Sequence, residues 1–138
     1  MKYYAVVDTN VIVSALLKEQ SIPWEILENI KNDRIYPLFN DEIIIEYEEV
    51  LKRNKFNFDE SVVKNTINLI LEKGYELNPH FIDEFFEDES DKVFYQITLT
   101  GISVFGNSHL ITGNKKHFPL KEFVVTPAEM LEIINNDN

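Results

Sequence analysis

Apolar residues along this chain fall into short unbroken runs and longer periodic stretches, and the two kinds alternate. Tyr3 to Val7 is a nearly continuous, β-prone apolar run, which suits a strand covered on both faces, as in a parallel sheet. The run stops at Asp8-Thr9-Asn10, and Val11 to Leu17 reads as a helix entry. Ser21 and Pro23 open a second helix through Trp24 to Lys31, since Ser caps helix starts and Pro is tolerated in a first turn. Ile35 to Phe39 is a second short strand. From Asp41 to Lys52 the period is helical, and Ile43, Ile44, Tyr47, Val50 and Leu51 share one stripe of the wheel. Glu42 and Glu49 point away from that stripe, while Glu46 and Glu48 flank it on opposite edges.

A further helix is predicted over Asp59 to Lys73, ended by Gly74, with a short strand at Tyr75 to Leu77. The carboxylate-rich stretch Asp83 to Asp91 runs into the helical segment 92–100. Residues 101–109, GISVFGNSH, read as a long connection to a fourth strand at His109 to Thr112, and Phe123 to Val125 is a fifth. Thr126-Pro127-Ala128-Glu129 is a capping box with Pro at the first helical position, so a terminal helix follows. Alternating strands and helices predict an α/β fold around a mainly parallel sheet of four to five strands. No repeat, linker or composition break divides the chain, which predicts a single domain over 1–138. In such sheets ligands sit beyond the carboxyl ends of the strands. Asp8 and Asn114 both fall at such ends.

Composition narrows the picture. The chain has 138 residues, 13 Lys and Arg against 24 Asp and Glu, and a net charge of −11. With no Cys, a disulfide scaffold, a Cys-ligated zinc site and a thiol nucleophile are excluded. The amino terminus is too quickly acidic for a secretory signal, and no stretch reaches the roughly 18 apolar residues of a membrane span. The expectation is therefore a cytoplasmic protein with no membrane partner. The acidic balance argues against coating nucleic acid by bulk charge. It leaves room for an enzyme that grips phosphates through metal ions held by carboxylates. The acids are also concentrated: residues 41–60 and 76–91 hold seven each, and the second window has no Lys or Arg.

Asp8, Glu46, Asp91 and Asn114 are the candidates to converge. Oxygen ligands of this kind suit Mg²⁺ or Mn²⁺, and divalent ions so held can support phosphodiester hydrolysis. Each residue also has a plain alternative. Asp8 also suits the cap of the following helix. Glu46 and Glu48 are equivalent by periodicity. Asp91 suits any first helical turn, Asp88 could serve in its place with Ser90 as another cap, and Asn114 suits a turn. The joint pattern, not any single residue, carries the hypothesis.

Taken together, VVDTNVIVSALL at 6–17, DEIIIEYEEVLKRNKF at 41–56, DESDKVFYQ at 88–96, LITGNKKHFP at 110–119 and VVTPAEML at 124–131 resemble the PIN-domain family, of the VapC-like kind found as toxin components of toxin–antitoxin pairs. The resemblance implies a three-layer α/β/α sandwich and a Mg²⁺- or Mn²⁺-dependent ribonuclease. It places the three metal-holding, catalytic acids on Asp8, Glu46 and Asp91, choosing Glu46 over Glu48. The fourth catalytic position, commonly Asp, falls on Asn114, with Asp88 as a possible extra acid. Asn10, Ser14 and Thr112 match supporting polar positions. Lys115, Lys116 and His117 are candidates for RNA contact. A cognate antitoxin and a homodimer are further implications. Neutral Asn114 also motivates a rival reading, a PIN-fold interaction module with weak or no catalysis. A haloacid-dehalogenase phosphatase would want Asp two residues after Asp8, where Asn10 stands.

Overall fold

The computed structural model describes residues 1–137. Five strands, β1 (Tyr3–Val7), β2 (Ile35–Phe39), β3 (Tyr75–Glu76), β4 (His109–Ile111) and β5 (Val124–Val125), form one sheet in the order β3-β2-β1-β4-β5. Every pairing is parallel. Six helices connect and close the sheet: α1 (Thr9–Leu17), α2 (Ile22–Lys31), α3 (Asp41–Leu51), α4 (Glu60–Lys73), α5 (Glu89–Phe105) and α6 (Pro127–Asn136).

The helices sort into two layers by what they touch. α5 packs on β1, β2 and β4, and Tyr4 of β1 stacks on Phe105 of α5 with ring centroids 4.0 Å apart. On the other side α1, α2, α4 and α6 are linked through α2. α3 touches both α4 and α5, so it wraps the layer boundary. The result is the expected α/β/α sandwich. Each crossover is long enough to carry helices, as parallel pairing requires.

Local signals in the sequence are realised as hydrogen bonds. Ser21 accepts from the Trp24 amide at 3.2 Å, and Asn40 caps α3 by accepting from the Ile43 amide at 3.0 Å. Thr126 and Glu129 form the reciprocal capping box ahead of α6. Ala5, Val6, Ile35, Leu38, Leu110 and Ile111 are fully buried. Burial on both faces, interrupted only at the half-buried Tyr4, Tyr36 and His109, explains why these strands read as apolar runs rather than alternations.

The expected parallel sheet is present with five strands, and all of its pairings are parallel. One expectation is corrected. GISVFGNSH is not a long connection: α5 continues through Gly101 to Phe105 and stops at Gly106, whose φ of 86° is the left-handed cap of a helix end. Only residues 106–108 then lead into β4. The periodic pattern weakens over Gly101 because that glycine is demanded by packing. A Cβ there would lie 2.4 Å from Leu38 Cδ1 on β2.

β1 lies at the centre of the sheet. The chain runs outward from it through β2 to β3, then returns to β4 on its other flank. The carboxyl ends of β1 and β4 therefore form the switch point where the connections diverge, and such crevices are where open parallel sheets bind ligands.

Candidate active site

Two strand ends build the floor of this crevice. Asp8 follows β1 and Thr112 follows β4, and the Asp8 amide donates to the Ile111 carbonyl at 2.9 Å. Asp8 stands at the N-cap of α1 but makes no side-chain cap bond there. Its carboxylate instead accepts from Thr112 Oγ1 at 2.8 Å and from Asn10 Nδ2 at 3.3 Å. Thr112 is fully buried, and its hydroxyl also accepts from the Asn114 amide at 3.0 Å. Asn10 closes the ring by accepting from the Gly113 amide at 3.2 Å. The two strand ends are thus tied together around one carboxylate.

Glu46 reaches the same region from α3. Thr9 Oγ1, at the first residue of α1, donates to Glu46 Oε2. Glu48 lies elsewhere, 3.8 Å from Lys52 Nζ on the side of the groove between α3 and α4. Tyr47, on the core stripe, sends its hydroxyl to the Val7 carbonyl at the end of β1. That bond docks α3 against the strand that carries Asp8. Burial pushes the Tyr47 hydroxyl well above its ordinary pKa, and the charges of Asp8 and Glu46 add to it.

Asp91 sits in the first turn of α5, with a fifth of its side chain exposed, and lies 3.7 Å from His117 Nδ1. His117 in turn meets the Asn114 side-chain amide at 2.9 Å. Asp88 caps α5, accepting from the Ser90 amide at 3.0 Å and the Ser90 hydroxyl at 2.7 Å. Those bonds hold its pKa below the usual carboxylate range.

The electrostatics show three acids within reach of one another's fields. Burial raises the Asp8 pKa above its ordinary value; the Thr112 hydrogen bond and the Thr9 amide oppose this, and the Glu46 charge adds to it. Asp91 is pushed up to about 6, first by burial and then by the charges of Asp8 and Asp88, with His117 opposing and Glu46 adding. Among the described residues no three His, Cys, Asp or Glu side chains close into a ready-made ligand shell. Mg²⁺ does not require one: it keeps several waters and takes one or two carboxylates directly. An all-oxygen donor set, in which Asp8 and Asp91 both resist ionisation, fits a hard divalent cation.

The remaining sequence candidates separate. Ser14 is exposed on α1, one turn beyond Asn10, and no hydrogen bond joins it to the acids. Lys115 is tied to Glu129 of the α6 capping box at 3.1 Å. Lys116 and His117 line a cavity beside Asp91. Thr9 and Tyr47 were not visible as site residues in the sequence. Thr9 looks like any first-turn residue, and Tyr47 falls on the core stripe; only adjacency to Asp8 and Glu46 distinguishes them.

Thr112→Val removes a buried hydroxyl that serves a carboxylate and an amide at once. The expected result is a loss of about 1–3 kcal/mol of stability, read by urea denaturation at neutral pH, with no change in secondary structure by circular dichroism.

A wholly parallel sheet held between helix layers, with Asp8 at its switch point, defines the class, an α/β sandwich domain. The chain matches the PIN domain over residues 4–116 and belongs to the PIN-domain family. No curated protein and no solved structure matches it. Among the described residues no helix is long and apolar enough to cross a membrane.

Proposed function

We propose that the chain, acting as one PIN unit, is a Mg²⁺- or Mn²⁺-dependent ribonuclease that hydrolyses RNA phosphodiesters, and that it is the cytoplasmic toxin of a toxin–antitoxin pair. The observation that supports the activity is that Asp8, Asp91 and Glu46, carried by three different elements, lie near enough for their charges to act on one another. These three would hold the ion, which when bound offsets their charge and the phosphate's and makes water a better nucleophile.

The chain's own residues supply the rest. Thr112 and Asn10 hold the Asp8 carboxylate by its Oδ2 oxygen, and Thr9 holds Glu46. Such outer partners fix the direction of ligand lone pairs. Asn114 contributes hydrogen bonds, not charge, and engages His117. Lys116 and His117, on the open side, would meet the RNA backbone. The acid-only stretch 76–91 suits a basic antitoxin segment, and a homodimer completes the proposed assembly.

The test is cleavage of a mixed-sequence RNA by the purified chain across a titration of Mg²⁺ and Mn²⁺. Cleavage is expected to appear with metal and to vanish with a chelator. RNA should also fail to remain bound once metal is removed, because a net charge of −11 repels it. Absence of cleavage at every metal concentration, together with no heat of Mn²⁺ binding by calorimetry, would instead favour the non-catalytic interaction module that neutral Asn114 suggests.

A further inference from the structure

Beside the acids lies a cavity of about 540 Å³ whose aromatic wall none of the proposed chemistry uses. Its apolar base is made by Phe86 and Phe118, both buried, with ring centroids 6.2 Å apart and planes at 64°. Lys116 and His117 line one side, and Asp91 is shared with the site. Phe85 also lines it and is 85% exposed. Phe85 therefore adds an uncovered aromatic face to a wall that also carries Lys116 and carboxylates. Phe81, on the same loop and 86% exposed, does not line the cavity.

The volume falls within the range of small-ligand pockets. The wall chemistry is an aromatic platform with the Lys116 cation beside it, next to carboxylates that would handle a phosphodiester. We propose that this cavity is a nucleobase subsite: a base adjoining the scissile phosphate of single-stranded RNA stacks on Phe85 above the Phe86–Phe118 base, while Lys116 meets the neighbouring phosphate. This rests on the ribonuclease reading and adds to it a place for one base on this chain's own aromatic wall. Only an unpaired base exposes a face to stack on an aromatic ring; in a duplex both faces are already covered. Lys116 makes no ion pair among the described residues, so it is free to serve a phosphate.

The experiment compares Phe85→Ala, Phe85→Trp and Phe81→Ala on a labelled single-stranded oligoribonucleotide with Mg²⁺ and on the same sequence in a duplex. Binding is measured in parallel by anisotropy with Ca²⁺ in place of Mg²⁺. Phe85 is exposed, so its loss leaves folding intact. Phe85→Ala is expected to raise KM and Kd for the single strand about tenfold or more, with kcat moving far less. Phe85→Trp should restore both, and Phe81→Ala should change neither. Cleavage with KM unmoved by Phe85→Ala would overturn the subsite and leave the ribonuclease reading standing. Absence of any cleavage, with Kd still weakened tenfold by Phe85→Ala, would uphold the subsite and sink the hydrolytic reading. Equal losses from Phe81→Ala and Phe85→Ala, or equal use of the duplex, would also overturn it, marking the loop as a surface for a protein partner.

Discussion

Asp8→Asn and Asp91→Asn are each expected to lower metal-dependent RNA cleavage by more than about 100-fold, since losing even an outer partner of a metal ligand costs about 10–100-fold. Asp91→Asn should at the same time make the metal-free protein more stable at neutral pH. The reason is the direction of its shift. Its folded pKa is pushed up to about 6 from an ordinary 3.8, so between those values the folded state binds more protons than the unfolded one. Stability therefore falls as pH rises through that window, and the full penalty is present above it. A shift of about two units corresponds to roughly 3 kcal/mol. Solvent screening at a side chain that is a fifth exposed reduces the expectation to about 1–3 kcal/mol. Urea denaturation from pH 4 to 8 without metal should show the two proteins equal at the acid end and the variant ahead at the neutral end. Adding Mg²⁺ should then raise the wild type's melting temperature more than the variant's, because a ligand stabilises only the state that binds it. A variant that is no more stable at pH 8 would show that neither burial nor the neighbouring charges penalise the ionised Asp91 carboxylate.

The second large effect is structural. Gly74→Ala is expected to cost about 3 kcal/mol or more, near the upper end for single substitutions. Its backbone, with φ of −106°, is open to any residue, so the demand is for space alone. A Cβ at this position would lie 2.1 Å from the Pro37 carbonyl oxygen and 2.9 Å from the Ile70 carbonyl oxygen. Both are backbone atoms and cannot rotate aside, so β3 would have to leave β2. Gly106→Ala is the control. That glycine has φ of 86° and nothing within 4 Å of an added Cβ, so only the left-handed conformation is penalised, by about 1 kcal/mol. Equilibrium urea curves for the two variants, compared at equal slope, check the ranking.

How far the sequence reaches is clearest element by element. The starts of α2 and α6 were legible because capping is local: Ser21 and Thr126 bond to amides three residues on. The end of α5 was not, because Gly101 looks like a break and is in fact a packing contact with Leu38, a residue distant in the chain. Asp8 and Asn114 could be placed at strand ends from run lengths alone. Periodicity left Glu46 and Glu48 equal. The structure separates them through contacts with Thr9 and Lys52, which depend on how α3 lies on β1 through the Tyr47 hydroxyl.

By itself, then, the sequence determined the order of strands and helices, the parallel class of the sheet and the short set of acids worth considering, because each follows from patterns within a few residues. Tertiary structure decided which of these meet. The bonds from Thr112 to Asp8, from Thr9 to Glu46 and from Tyr47 to Val7 join residues 104, 37 and 40 positions apart. The contact of Asp91 with His117 and the cavity beside it depend on how α5 and the turn after β4 fold over the same sheet edge. No local pattern encodes such distances. They are set by the packing of the layers, which fixes where a strand end and a helix face come to rest.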